Sequence, residues 1–190
     1  MDPDKAHILQ VAVLATDPQL NPLESGDRGL NLCLKLPADA SVSAWVAENL
    51  SDLLTACRDP GALEQNSASQ LITNYVDRVA GPAPEDIKER PVLAGNSVHA
   101  DWRLACMHFP ELIERLHYRL LDVSTLKIHW QDWLGQPEFD KEDANLVLEH
   151  LPFKITTLAG QPHDAYYDIL ASIAELNFYR QRMFQHPSNP

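Results

Sequence analysis

The spacing of hydrophobic residues changes along the first part of the chain, from the alternation of strands to the spacing of helices. The apolar run at 7–17 predicts a buried strand, and residues 30–36 alternate apolar and polar side chains as a second strand does. Pro22 and Gly26 lie between the two runs, where a turn requires such residues. The chain is therefore predicted to begin with a β-hairpin.

Helical spacing follows the hairpin. Serines at 41 and 43 precede a helix whose apolar residues run from Trp45 to Leu54, and Ser43 is positioned to cap it. Further helices are predicted at 66–79, 100–109, 124–133, 142–151 and 164–184. Pro110 is expected to end the helix at 100–109, and Ser124 is expected to cap the helix at 124–133.

Short apolar runs at 91–95 and 119–123 each precede one of these helices and are predicted to be strands. Alternating strands and helices indicate an α/β fold. The proline-rich stretch at 81–90 suits an exposed loop, because 190 residues are too few for two ordinary cores. We therefore expect a single domain over residues 1–185, followed by a loose tail at 186–190.

Charge narrows the classes of function. The chain has 15 Lys and Arg against 27 Asp and Glu, a formal net charge of −12. Such a surface argues against binding long DNA or RNA by broad phosphate neutralisation, but it does not exclude a small phosphate substrate neutralised by metal ions. No apolar run approaches the roughly 20 residues of a membrane span.

Cysteine usage indicates the compartment. Cys33, Cys57 and Cys106 are widely spaced and form no Cys-x-x-Cys pair, so neither a disulfide framework nor a zinc knuckle is expected. The N-terminal apolar run follows acidic residues instead of the basic region of a signal peptide. We therefore expect an intracellular protein.

The segment 95–101 (GNSVHAD) joins a predicted strand to a predicted helix. Ser97 is expected near the helix N-terminus, where free N–H groups bind anions, and Asp101 lies one turn further on. A capped helix with a solvated aspartate explains the same residues, and composition alone favours that simpler interpretation.

The segment 117–125 (HYRLLDVST) contains a predicted strand between Arg119 and the hydroxyls of Ser124 and Thr125. A cation, two hydroxyls and the free N–H groups of the next helix are the chemistry of a phosphate clamp. Alternatively, Ser124 caps the helix and Arg119 pairs with a surface acid, and this segment alone does not decide between the two.

The segment 163–169 (HDAYYDI) begins the last predicted helix. Five helical residues turn through about 140°, so His163 and Asp168 converge only if His163 precedes the helix, which Pro162 favours. His163 would then suit a general base for water, and Asp168 a metal ligand. An ordinary histidine beside a surface aspartate is the alternative.

Together the three segments resemble the oligoribonuclease branch of the DEDDh 3′-to-5′ exonucleases, in order, from about residue 1 to residue 185. The ending ELNFYR at 175–180 is also similar to the family. The matching residues are Gly95, Asn96, Ser97 and Asp101 in GNS-x3-D, Tyr118, Arg119, Asp122, Val123, Ser124 and Thr125 in YR-x2-DVST, and His163, Ala165, Asp168 and Ile169 in His-x-Ala-x-Asp-Asp-Ile.

This resemblance implies a ribonuclease-H-like fold, with a central mixed sheet flanked by helices, and hydrolysis of short RNA by two divalent ions, Mg²⁺ or Mn²⁺. It implies that Asp101 and Asp168 bind the ions and that His163 is the general base. The residues expected to bind RNA are Ser97, Tyr118, Arg119, Ser124, Thr125 and Trp45. A cytoplasmic or mitochondrial homodimer that shares Tyr118 across its interface is also implied.

The chain departs from the family at its first motif. That motif, Asp-x-Glu followed by Met-Thr-Gly-Leu on the first strand, supplies two of four carboxylates and is absent here; Asp2 and Asp4 fall in the turn beyond that strand. Gln10, Leu50 and Tyr167 stand where the family commonly has Glu, His and Asp. With two carboxylates missing, we expect weak binding of Mg²⁺.

Two explanations of this gap are open. The sequence is a truncated form whose upstream residues carry the missing strand, which the retained phosphate-clamp motif favours. Alternatively, it is a pseudonuclease that keeps the scaffold for binding within a larger assembly, which the changes at Gln10, Leu50 and Tyr167 favour. A separate hypothesis, in which the family resemblance itself is coincidental, is an unrelated acidic α/β domain.

Overall fold

A computed structural model describes residues 7–184, which begin with the predicted β-hairpin. Strand β1 (Gln10–Val13) pairs antiparallel with β2 (Leu30–Cys33), and Val11 lies opposite Leu32. The predicted tail at 186–190 lies outside the described residues.

The second pair of strands is parallel. Strands β3 (Leu93–Gly95) and β4 (Leu120–Asp122) pair in register, with Leu93 opposite Leu120. Both strands lie where the short apolar runs predict them, and each is followed by a helix.

Helices occupy most of the remaining chain. A 3₁₀ turn at Ile87–Glu89 lies within the predicted loop, and a π-helical turn at His129–Trp133 extends the helix before it. The helices are α1 (Ala44–Asn49), α2 (Ser51–Arg58), α3 (Gln65–Ala80), α4 (Val98–His108), α5 (Pro110–Ile113), α6 (Val123–Ile128), α7 (Ala144–His150) and α8 (Ala165–Met183).

Three local predictions need correction. The single helix expected from Trp45 to Leu54 is divided at Leu50, whose backbone lies outside the helical region. Pro110 ends α4 but also begins α5, because a first helical residue needs no N–H donor. Asp122, and not Ser124, caps α6: its carboxylate accepts the N–H of Ser124.

The predicted central sheet is divided into two separate two-stranded sheets. Within residues 7–184, β1 pairs only with β2, and β3 pairs only with β4. A cavity of about 590 Å³ lies between them, and residues of both β1 and β3 line it. The architecture is therefore mixed α/β, but no described strand connects its two halves.

Helix α8 organises the largest part of the core. Leu170, Ala174 and Tyr179 of α8 are buried against Val147 of α7 and Phe139. Burying a side chain such as Leu170 contributes about 1.5–3 kcal/mol. This packing fixes α8, and with it the loop that carries His163.

No helix in the described range is both long and apolar enough to cross a bilayer.

A second cluster joins α3 to the hairpin and to α5, with Ile72 and Tyr75 packed near Leu34 and Leu112. The Tyr75 hydroxyl accepts the N–H of Ala15 at 2.9 Å and donates to the Asp27 carboxylate at 2.7 Å. Burial raises the pKa of Tyr75, so the phenol remains a donor. These contacts fix the hairpin, which forms one wall of the cavity.

Candidate active site

The cavity between the two sheets brings together the three residues predicted to do chemistry. Asp101 of α4, Asp168 of α8 and His163, just before α8, all line it, and Ser97 lies at the same cavity beyond the end of β3. Residues widely separated in the sequence thus meet around one space.

His163 precedes α8, as predicted. Asp164 is the N-cap residue of α8, and its carboxylate accepts the N–H of Tyr166. His163 itself has a left-handed backbone with φ of 73°. Its N–H donates to Oδ1 of Asp168 at 3.3 Å, which joins the loop to the first turn of the helix.

Trp45 lies next to His163. The two rings meet edge to face with centroids 5.2 Å apart, and the indole is 49% exposed. A smaller cavity of about 300 Å³, lined by residues including Leu50, Leu53 and His163, opens on this side. His163 therefore borders both cavities, and Trp45 offers an exposed aromatic face nearby.

Both candidate metal carboxylates have perturbed acidity. Loss of solvent raises the pKa of Asp101, and nearby Asp122 raises it further, while His99 opposes the shift. Loss of solvent likewise raises the pKa of Asp168, although the hydrogen bond that its carboxylate accepts from the His163 N–H lowers it. Although each residue keeps exposed surface, the cavity walls remove water from its carboxylate, which favours a proton or a cation there.

The predicted phosphate clamp is partly occupied by the protein itself. The N–H of Ser97 donates to Oδ1 of Asp122 and to Oγ of Ser124, both at 2.9 Å. Ser97 has a left-handed backbone with φ of 51°. The Ser97 N–H at the start of α4 is thus already paired within the protein, while the Ser97 and Ser124 hydroxyls lie 3.4 Å apart.

Tyr118, Arg119 and Thr125 are exposed and are not among the residues that line the cavity. The Arg119 guanidinium lies 5.6 Å from the centroid of the Tyr118 ring, which stacks on His117. The structure therefore separates these three from Asp101, His163 and Asp168, and Ser97 connects the two groups through Ser124.

Gln10 has a structural role that the sequence did not reveal. Its Nε2 donates to Asp164 at 3.1 Å, and its Oε1 accepts the N–H of Ala165 at 3.0 Å. Gln10 thus ties β1 to the start of α8. A polar residue inside an otherwise apolar strand is the signal that points to such a partner.

Glu175 is the second residue whose role was missed. It is fully buried in α8 and accepts hydrogen bonds from Asn96 at 2.8 Å and from the Tyr179 hydroxyl at 3.0 Å. It therefore holds the turn that carries Ser97. Glu175 lies four residues from both Ala171 and Tyr179, so its place on the buried face could have been recognised.

Tyr167 occupies the position where the family has an aspartate. It is buried in the core of α8, and its hydroxyl donates to the carbonyl of Lys141 at 2.8 Å. Burial raises its pKa, so it stays neutral. This position contributes packing and one hydrogen bond instead of a charge.

The described donors only partly fit the divalent ions that the family resemblance implies. Carboxylate oxygens such as those of Asp101 and Asp168 are the ligands that Mg²⁺ and Mn²⁺ prefer. However, no group of three or more His, Cys, Asp and Glu side chains within residues 7–184 is placed to hold one ion. The donor set is of the right chemical kind but incomplete.

These features describe an α/β protein with one candidate active site. Two partly desolvated carboxylates and an imidazole line a cavity beyond the end of a strand. No family model matches the chain. Curated relatives do. The chain is 33% identical to the mouse protein named "Oligoribonuclease, mitochondrial" over 189 residues, which cover 97% of this chain and 69% of that protein.

Bacterial relatives agree. The chain is 31% identical to the oligoribonuclease of Vibrio parahaemolyticus over 196 residues, covering 97% of this chain and 90% of the relative. It is 32% identical to that of Idiomarina loihiensis, covering 97% and 88%. The chain belongs to the oligoribonuclease family, which excludes the unrelated acidic domain.

Proposed function

We propose that this protein acts on short oligoribonucleotides as a 3′-to-5′ exoribonuclease and releases 5′-mononucleotides. The observation that carries the proposal is the meeting of Asp101, His163 and Asp168 around one cavity in a chain of this family. The relatives carry the name oligoribonuclease, and the three residues match the motifs on which the family resemblance rests.

In this proposal His163 is the general base that takes a proton from the attacking water. Its place on a loop outside α8 supports the role, because the ring borders both cavities and is exposed. Asp168 holds the loop through the His163 N–H. Asp101 and Asp168 would bind divalent ions, Mg²⁺ or Mn²⁺, which would supply stabilisation of negative charge.

We infer that the RNA spans the cavity between an aromatic face and a cationic corner. Trp45 would stack on a base next to His163, since bases stack on exposed aromatic rings. Arg119, with the hydroxyls of Ser97, Ser124 and Thr125, would bind the terminal 5′ phosphate. Tyr118, exposed beside Arg119, would act from across a homodimer interface.

We further propose a ribonuclease-H-like sheet completed by one more strand between β1 and β3. Each of these strands is paired on one edge only within the described range, and both face the same cavity. A strand there would hydrogen-bond to both halves, and the family's Asp-x-Glu on it would supply the carboxylates that the described donors lack.

The decisive experiment compares the 190-residue chain with a form preceded by a segment that carries the Asp-x-Glu strand. Both are incubated with di- to pentaribonucleotides at high Mn²⁺, and released mononucleotides are measured. We expect turnover by the longer form and much weaker turnover by the 190-residue chain. No cleavage by the longer form would refute the proposed activity.

A second candidate is a catalytically inactive protein that binds nucleotides or a larger assembly. Its support is the use of two family positions for structure: Gln10 ties β1 to α8, and Tyr167 packs in the core. This candidate predicts a stable partner without turnover. Isolation of a lone homodimer that hydrolyses short RNA would rule it out.

A further inference from the structure

Two cysteine thiols meet where β2 faces α2. Sγ of Cys33 and Sγ of Cys57 lie 3.1 Å apart, and neither is in a disulfide. A disulfide has an S–S distance of about 2.05 Å, so the sulfurs need to approach by only about 1 Å. Cys57 is fully buried, whereas Cys33 keeps some exposed surface.

The backbones of both cysteines are held by neighbouring strands and turns. The carbonyl of Cys57 accepts the N–H of Leu36 at 2.8 Å, and the carbonyl of Cys33 accepts the N–H of Leu63 at 3.3 Å. Both bonds join the extension of β2 to α2 and the segment after it. The two side chains therefore face each other because the fold fixes their backbones.

We propose that Cys33 and Cys57 form a redox modification site, at which a low-molecular-weight disulfide such as oxidised glutathione converts the two thiols to an intramolecular disulfide.

The exposed surface of Cys33 sets the order of the steps. The Cys33 thiolate attacks one sulfur of oxidised glutathione, forms a mixed disulfide and releases one glutathione thiolate. The Cys57 thiolate then attacks Sγ of Cys33 and releases the second. The two protein thiols lose two electrons and two protons, and oxidised glutathione becomes two molecules of reduced glutathione.

The surroundings of Cys57 make the second step slow. Burial, together with the hydrogen bond to Cys33, raises the pKa of Cys57 to about 12. Its Sγ also lies 3.2 Å from the carbonyl of Leu9, to which the thiol donates. Because only the thiolate attacks, closure should accelerate by up to about tenfold per pH unit.

The disulfide would restrain one wall of the smaller cavity. Helix α2 carries Leu53 and Ala56, which line that cavity together with His163. A bond from Cys57 to β2 ties this helix to the hairpin. Closing the loop also restricts the unfolded chain, so oxidation should raise Tm by about 5–10 °C.

The test uses Cys106→Ser, which removes the exposed third thiol, in buffers of oxidised and reduced glutathione. After alkylation of free thiols and digestion with trypsin without reduction, mass spectrometry should find peptide 29–35 joined to peptide 36–58. Reduction should separate them. Absence of the joined peptide after equilibration in excess oxidised glutathione would overturn the proposal.

Two comparisons test whether the fold creates the site. In Cys57→Ser, glutathione should remain attached to Cys33, whereas in Cys33→Ser the Cys57 thiol should stay unmodified. If glutathione modifies Cys57 in Cys33→Ser as fully as it modifies Cys33 in Cys57→Ser, the proposed order of steps is wrong. The folded protein should also favour the disulfide at least about tenfold more than the urea-unfolded chain. If the equilibrium between thiols and disulfide is the same in the folded and the urea-unfolded chain, the fold does not bring the two cysteines together.

Discussion

The corner between β3 and α4 and the cavity beside it use carboxylates in opposite ways. At the corner, Asp122 accepts the N–H groups of Ser97 and Ser124, so its charge completes hydrogen bonds that the fold needs. In the cavity, Asp101 and Asp168 keep exposed surface but lose part of their solvent, which raises the pKa of each. The same chemical group thus stabilises one region and costs stability in the other.

This difference distinguishes a region whose polar groups are paired within the protein from one whose carboxylates carry an electrostatic cost. The corner satisfies its own donors, and buried Glu175 supports it through Asn96. In the cavity, the raised pKa of each carboxyl comes mainly from loss of solvent, and carboxyls with a perturbed pKa that line a cavity are candidates for a functional site. Substitutions in the two regions should therefore change different properties.

The largest expected effect is on activity in the cavity. In a form that hydrolyses short RNA, His163→Ala should lower kcat about 100- to 10,000-fold, because the general base is lost. Asp168→Asn should also reduce kcat. His7→Ala and Asp39→Asn, at exposed positions, are matched controls. A loss below threefold for His163→Ala would remove His163 from the mechanism.

At the corner, the largest effect should be on stability. Glu175→Ala leaves the Asn96 amide and the Tyr179 hydroxyl without an acceptor in the core, so the free energy of unfolding should fall by about 3–5 kcal/mol. Urea titration measures it. Glu175→Gln keeps one acceptor and should lose less, while Glu149→Ala, at an exposed site, should be nearly neutral. Equal losses for the Ala and Gln variants would contradict the hydrogen-bond explanation.

A smaller loss is expected for Asp122→Ala, which removes the cap of α6 and the acceptor of the Ser97 N–H. Loss of a cap costs about 0.5–2 kcal/mol. Asp122→Asn retains an acceptor oxygen and should recover part of this value in the same urea titration. If the Asn variant is as unstable as the Ala variant, the negative charge matters more than the hydrogen bonds.

The smallest expected effect has the opposite sign. The pKa of Asp101 is raised in the folded protein, so protonation of Asp101 stabilises the folded state. This contribution to the free energy of unfolding is lost as pH rises through the pKa of the folded protein. Asp101→Asn should therefore raise Tm at pH 7 by about 1–2 °C. The gain should disappear below the ordinary pKa of 3.8. Calorimetry with Asp39→Asn as control tests this, and a lower Tm at pH 7 would show that Asp101 is stabilised as an anion.

Local patterns predicted much of the fold. The apolar run around β1, the alternation around β2 and the helical spacing in α3 and α8 all correspond to the observed elements, because each pattern is set by residues close together in the chain. The break at Leu50 and the cap at Asp122 were missed. Both depend on contacts that hydrophobic spacing does not encode.

The site was predicted in part. The motifs identified Asp101, His163 and Asp168, and the structure places all three at one cavity, although their chemical roles remain predictions. Sequence could not show that Gln10 binds the start of α8 or that the Ser97 N–H is already paired. Those facts arise from contacts between segments far apart in the chain.

The left-handed backbone of His163 has a consequence for the stability of its loop. The left-handed conformation costs a residue with a β-carbon about 1–2 kcal/mol of conformational free energy, whereas glycine adopts it without this cost. His163→Gly should therefore relax the loop and make the protein harder to unfold while it removes the imidazole. The left-handed conformation therefore places a free-energy cost on any side chain with a β-carbon at position 163.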